Sequence, residues 1–244
     1  MKPYVLALVL LCLATPVVTL AQPAPPPPPP KQEGTAEFAL VGTSGNASTQ
    51  TIGLGGEFIY RPEQWVLTSK AAFVRNKSES VLTAESFAYL FRATRAISPR
   101  LSGLGQYDFF RDEFAGVLHR HSLMGGIQYK LVDLPAHVLS VDGGLGYVSE
   151  GRSLGDNVSS ATWSIGAGYR WKISPTAEFS DDARLVGLFS DSGGWRLQQA
   201  AALTARLTKT ISLKVSTTVR YVSDPVPGFK KTDTNTAVAL VAKF

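Results

Sequence analysis

The sequence predicts an all-β protein: a transmembrane antiparallel β-barrel of about 12 strands with both chain ends on the periplasmic side. Three observations carry this. Side-chain character alternates with a period of two almost without interruption from Thr35 to Phe244. The apolar face of the clearest segment, TWSIGAGYRW, is bracketed by aromatics, with Trp163, Ile165, Ala167, Tyr169 and Trp171 on one side and Thr162, Ser164, Gly166, Gly168 and Arg170 on the other. The chain also ends on NTAVALVAKF, an alternating strand whose last residue is a bare aromatic. In water such an edge would be an aggregation hazard, whereas against lipid it closes a sheet.

The first 21 residues read as a secretory signal peptide: Lys2, an apolar run from about Tyr4 to Leu13, and small residues at Thr19 and Ala21 before a cut at Gln22. That run is too short to span a membrane as a helix. The single cysteine, Cys12, lies inside it, so the mature chain would hold neither disulfides nor thiolate metal ligands. Leu11 before Cys12 argues against a lipoprotein signal. Residues 22–34 form a proline-rich leader whose PAPPPPPP core is a stiff, extended spacer, and residues 35–244 form the barrel domain.

Within that domain the dyad recurs in TIGLGGEFIYR, SFAYLFR and ISLKVSTTVRY, and twelve such segments centre near residues 38, 55, 70, 88, 105, 125, 142, 166, 184, 202, 216 and 239. The even count suits a single-chain bacterial barrel. Their connections alternate between two classes. RPEQ, ISPR, DLPA, ISPT and TKT are short and often carry proline, whereas TSGNAST, RNKSES, RDEFAG, SEGRSLGDNVSS, SDSGG and SDPVPGFKKTD are looser and polar. Short turns belong to the periplasmic side and long loops to the outside. A secreted β-sandwich or lipocalin-like barrel also alternates, but the polar face here is rich in Gly, Ser, Thr and charge and could not build an apolar core.

In the last strand Val238, Leu240, Ala242 and Phe244 share the apolar face. This pattern resembles the signal by which the outer-membrane barrel-assembly machinery recognises its clients. The partners it implies are that machinery, periplasmic chaperones, outer-membrane lipid and lipopolysaccharide. The formal charge of +5 is small and spread out, which gives no nucleic-acid-binding patch.

The first hairpin, EFALVGTSGNASTQTIGLGGEFIYRPEQW, resembles the opening of the YdiY-like family (domain of unknown function 481), described as salt-induced outer-membrane proteins. The shared features are the tip at Thr43, Ser44, Gly45 and Asn46, the residues Tyr60 and Arg61, and Trp65 opening the next strand. The resemblance implies a location and a fold, and brings no catalytic residues with it.

With the apolar face outside, the lumen receives Glu57, Lys70, Arg92, Asp108, Arg120, Lys130, Asp142, Arg170, Arg184, Arg206 and Arg220, together with Gln106, Gln128, Glu178, Asp182, Arg196, Gln198 and Lys214. Charges enclosed in this way must pair or stay wet. One reading is a salt-bridged plug that stiffens the barrel. The other is a narrow pore for small polar solutes, its arginine excess favouring anions. Asp181 and Asp182 point to opposite faces and cannot act as a dyad, and one of them is expected near the outer rim. His119 and His121 share a face, but the neighbouring Ser122 does not. A lipid-modifying hydrolase, a phospholipase or lipid A deacylase built on a rim histidine, would therefore need Ser149 or Ser153 to approach. The two histidines lack a third metal ligand, and His137 lies by a turn. The Gly-x-Gly triplets sit within strands and cradle no phosphate. The expectation is a non-enzymatic envelope protein, of structural or stress-adaptive role, without cofactor or metal.

Overall fold

Pairing of alternating strands around a full circle accounts for most of the residues the structure describes. A computed structural model describes residues 29–43, 49–190 and 194–244. The signal segment 1–21, residues 22–28 of the leader and the tip residues Ser44, Gly45 and Asn46 lie outside the described residues.

The strands are β1 (Gln32–Thr43), β2 (Thr49–Tyr60), β3 (Trp65–Ser78), β4 (Val81–Ala96), β5 (Leu101–Asp112), β6 (Val117–Asp133), β7 (His137–Arg152), β8 (Val158–Ser174), β9 (Ala177–Leu188), β10 (Trp195–Arg206), β11 (Ile211–Val222) and β12 (Thr232–Lys243). Each pairs antiparallel with its sequence neighbour, and β1 pairs with β12 to close the ring. Each of the twelve segment centres read from the sequence falls inside a strand. β1 begins at Gln32, inside the stretch read as leader, where the Glu33 carboxylate pairs with Arg61 at 2.7 Å and Lys243 at 3.2 Å.

The two faces differ as the alternation requires. Leu123, Leu145, Ile127 and Ile165 are largely exposed on the outside, while Gln106, Asp142, Glu150, Ser160, Thr162 and Ser164 are buried within. A soluble core would show the opposite. In lipid the apolar side chains need no burial by protein, and the closed ladder satisfies the backbone.

One end of the barrel carries the start of β1, the end of β12 and the connections 61–64, 97–100, 134–136, 175–176 and 207–210. The other end carries the end of β1, the start of β2, the end of β9 and the connections 79–80, 113–116, 153–157 and 223–231. We call these the terminal end and the loop end. Three of the loop-end connections, 79–80, 113–116 and 153–157, are shorter than the sequence indicated. RNKSES is mostly strand, closed by a two-residue turn in which Glu79 and Ser80 both have positive φ, 48° and 66°. That is the backbone shape a tight hairpin needs. SEGRSLGDNVSS likewise stays in strand through Arg152 and again from Val158. Polar residues continue the ladder here because the strands outrun the apolar belt.

The closure is uneven. β1 pairs with β2 along its full length, from Gln32↔Tyr60 to Thr43↔Thr49, but with β12 only from Thr35↔Lys243 to Phe38↔Leu240. Gly34 and Phe244 extend that seam by two backbone hydrogen bonds, of 2.9 and 3.0 Å.

Candidate functional site

Alternation turns every second residue of each strand into a barrel of small radius, so charges far apart in sequence meet across the lumen. Three groups result.

At mid-height Asp142 of β7 receives Arg184 Nη2 from β9 at 2.8 and 3.0 Å, and Arg92 Nη1 from β4 at 3.5 Å. Arg92 Nε donates to Gln106 at 2.7 Å, whose own amide donates to Asp108 at 2.7 Å. The Ser164 hydroxyl and Arg184 Nη1 meet the sulfur of Met124 at 2.5 and 3.5 Å. The Asp142 side chain is 7% exposed, and its two arginines are 19% and 22% exposed.

Toward the loop end Glu150 of β7 is the shared counter-ion of three guanidiniums: it accepts hydrogen bonds from Arg120 Nε at 2.5 Å and Arg152 Nε at 2.7 Å, and Arg196 Nη2 approaches to 3.5 Å. Arg120 and Arg220 lie over the Phe110 ring, 5.3 and 5.1 Å from its centroid. These planar cations stack favourably on an aromatic face.

Toward the terminal end the pairs are simpler: Glu57 with Lys70 at 3.1 Å, Glu37 with Lys214 at 2.7 Å, and Arg170 with Asp182 at 2.7 Å. Lys130 pairs with Asp133 at 3.0 Å beside the β6–β7 turn. Arg206 stands apart, exposed, its backbone amide donating to Thr176.

The structure thus brings Arg92, Asp108, Asp142 and Arg184 into one network, puts Arg120 and Arg220 beside another, and leaves Lys130 and Arg206 at the edge. Sequence reading missed Glu37, Glu150 and Arg152. Glu37 sits between the outward Ala36 and Phe38, so the dyad alone could have found it. Glu150 and Arg152 continue the inward phase of Asp142 but fall in the run read as a loop.

The outer face holds the remaining candidates. Val238, Leu240, Ala242 and Phe244 share it. Asp181 also points outward and accepts the Gln199 amide at 3.1 and 3.3 Å. It lies not at the outer rim but on the half of β9 nearer the terminal end, where the neighbouring strand supplies a polar partner. His121 Nδ1 contacts the Tyr107 hydroxyl at 2.8 Å, and His137 Nδ1 that of Tyr169 at 2.8 Å; His137 also stacks on Trp171. Ser149 is the cross-strand partner of His121, yet no histidine is hydrogen-bonded to a serine among the described residues. Nor, among them, does any group of three His, Cys, Asp or Glu side chains gather at metal-binding distance.

Chemically, then, the lumen can hold or filter charge. Among solved structures, the COG4313 outer membrane channel from Pseudomonas putida F1 is similar with a TM-score of 0.52 and 9% identity, over 87% of this chain and 95% of that one. The NanC porin matches with a TM-score of 0.49 and 8% identity, over 86% and 98%. The translocator domain of autotransporter NalP from Neisseria meningitidis gives 0.46 and 14%, over 89% of each chain. At these identities the first shows the fold alone. No curated protein matches the sequence. The model of the family described as protein of unknown function, DUF481, matches residues 36–244, which is most of the chain and the entire closed ring apart from the start of β1, and the protein belongs to that family.

Proposed function

We propose that this protein is an outer-membrane barrel of structural or envelope-stress-adaptive role, its terminal end periplasmic and its lumen plugged at mid-height. The observation that carries the reading is the Arg92–Asp142–Arg184 network, in which one nearly buried carboxylate ties together β4, β7 and β9. Cross-braces of this kind stiffen a closed sheet and occupy the volume through which a solute would pass. The reading assigns no catalysis; its partners are outer-membrane lipid, lipopolysaccharide, the assembly machinery and periplasmic chaperones.

Planar-bilayer recording tests it. The native protein should give no porin-sized current steps. Replacing Arg92, Asp142 and Arg184 together by alanine removes the plug, with Asp108 left hydrogen-bonded to Gln106, and steps should then appear. Large steps from the native protein would overturn the plug, as would an equally silent triple variant.

A second reading, slow passage of small anions, is favoured by the surplus of guanidinium groups around Glu150. It predicts small currents whose reversal potential in a salt gradient lies toward that of the anion.

A further inference from the structure

One carboxylate, Asp181, points outward from β9 in the middle of an apolar row. The outward residues around it on the same strand are Phe179, Ala183 and Leu185, so it stands within the apolar belt and not at its edge. Gln199 of β10 is placed in the same way, between Leu197 on one side and Ala201 and Leu203 on the other. Its amide donates to both oxygens of Asp181, at 3.1 and 3.3 Å. The register carries the polar row across the next two strands: Asp181 is the Cα partner of Ala201, Ala201 of Thr217, and Thr217 of Thr236. The two threonine hydroxyls meet at 3.2 Å, and Thr217 lies between outward Val215 and Val219. Glu85, on the outer side of β4, differs. It stands beside the loop-end turn at 79–80 and pairs with Arg75 at 3.5 Å.

Ionisable groups at membrane depth are costly, and they face a partner or water rather than lipid. A carboxylate has room for about four donors, and a single amide nitrogen serves Asp181. Acyl chains can supply none, and the apolar residues on either side hold headgroups away. The cross-strand neighbours of the pair are Ala183 and Ala201, so the wall is shallow there. Between membrane helices, small residues of this kind let two backbones come close. The patch also complements itself. It sets an acceptor, Asp181, beside a donor, Gln199, and a two-fold axis through such a surface lays each against the other's counterpart.

We propose that the β9–β12 face is the interface of a homodimer in the membrane, with Asp181 of each copy accepting a hydrogen bond from Gln199 of the other around a two-fold axis near Ala201. Outward Leu197, Leu203, Val215 and Val238 then form the apolar surround of the contact. The proposal rests on the outer face meeting lipid and is independent of the plug, since each copy keeps its own lumen.

The test is crosslinking in isolated outer membranes. Ala201→Cys puts a thiol in the patch, and Ala71→Cys puts one on the outer side of β3, across the barrel. The chain's one cysteine, Cys12, lies in the segment read as signal peptide, so the native protein is the blank. A short, lipid-soluble bifunctional maleimide should convert Ala201→Cys to a species of twice the chain mass and leave Ala71→Cys and the native protein uncrosslinked. Adding Asp181→Leu and Gln199→Leu to Ala201→Cys makes the patch apolar. That barrel should keep its heat-modifiable mobility and lose the crosslink. Ala201→Trp, read with a Thr217→Cys reporter, leaves both polar groups in place but blocks the approach, and should crosslink far less than Thr217→Cys alone. No product from Ala201→Cys, equal crosslinking of Ala71→Cys, a product of any mass other than twice the chain, or an undiminished crosslink in the folded leucine or tryptophan variant would each overturn the proposal. Recovery of the protein outside the membrane fraction would overturn it together with the lipid-facing reading, whereas a membrane-embedded monomer would overturn it alone.

Discussion

A single nitrogen of Arg184, Nη2, donates to both carboxylate oxygens of Asp142, although β8 runs between the strands that carry them. The crossing is possible because the residue of β8 beneath it is Gly166, where a β-carbon would lie 2.8 Å from both Arg184 Nη2 and Asp142 Oδ2. The glycine serves as a gap in the wall through which two charges meet.

Gly166→Ala should therefore destabilise the barrel by wedging this pair apart. Overpacking of this size costs about 1 to 3 kcal/mol. Asp142→Asn should cost a comparable amount, because Arg92 and Arg184 lose their shared charge. The two changes act on one contact, so the double variant should lose less than the sum. Urea unfolding in detergent, followed by tryptophan fluorescence, measures all three. Strict additivity would show that Gly166 serves something other than the pair.

The period-two pattern carried much of the architecture because a strand exposes its faces in sequence order, so Trp163 to Trp171 declare an outside and Ser164 to Arg170 an inside. It could not say which charges meet. Asp142 and Arg184 are joined only by the register of β7, β8 and β9, and Gly166, legible as a glycine within a strand, gains its specific purpose only once both neighbours are in place. Glu150 and Arg152 were hidden for another reason. Past the apolar belt the outward residues Ser149 and Gly151 are no longer apolar, so the alternation that marks a strand fades while the hydrogen-bonded ladder continues. Asp181 went astray because a polar partner, Gln199, lies on a different strand and could not be paired with it beforehand.

Closure itself is open to a covalent test. Ala36 and Ala242 are Cα partners at the β1–β12 seam, and both face outward. Cysteines at directly opposed positions lie within the span a disulfide can bridge. The oxidised Ala36→Cys, Ala242→Cys protein should form this link without reshaping the barrel, and after boiling should migrate as a covalent ring distinct from the reduced chain. The native protein should show heat-modifiable mobility, because its ladder has no edge from which to unravel. Failure of the pair to oxidise in the folded state would mean that the seam has another register.

The topology predicts an asymmetry of access. A tag inserted in the connection 223–231 or 153–157 should be labelled from outside intact cells, and one in 97–100 should require a permeabilised outer membrane. The reverse pattern would turn the barrel over without altering its fold.

Phe244 combines a small thermodynamic role with a position suited to a larger kinetic one. Its backbone amide and carbonyl both pair with Gly34, at 3.0 and 2.9 Å. Its ring lies over that glycine so closely that a β-carbon there would sit 2.2 Å from ring carbon Cε2. Phe244→Ser keeps the backbone bonds and loses the ring. Because the side chain is 79% exposed to its surroundings, the loss should fall below the roughly 1.5 to 3 kcal/mol of a fully buried aromatic. A ring of twelve strands absorbs that, so the variant should refold in detergent with native heat-modifiability. Assembly in the cell is a different matter, since there the apolar row Val238, Leu240, Ala242 and Phe244 is presented before β12 has met β1. Phe244→Ser should accumulate in the periplasm or be degraded. Gly34→Ala provides the control: it pushes the ring aside in the closed seam but leaves the sequence of β12 untouched, so it should reach the outer membrane with a somewhat weakened barrel. Normal outer-membrane levels of Phe244→Ser, or its failure to refold, would sink the separation of the two roles. An assembly defect in Gly34→Ala as severe as that of Phe244→Ser would place the effect in the finished seam rather than in the unpaired strand.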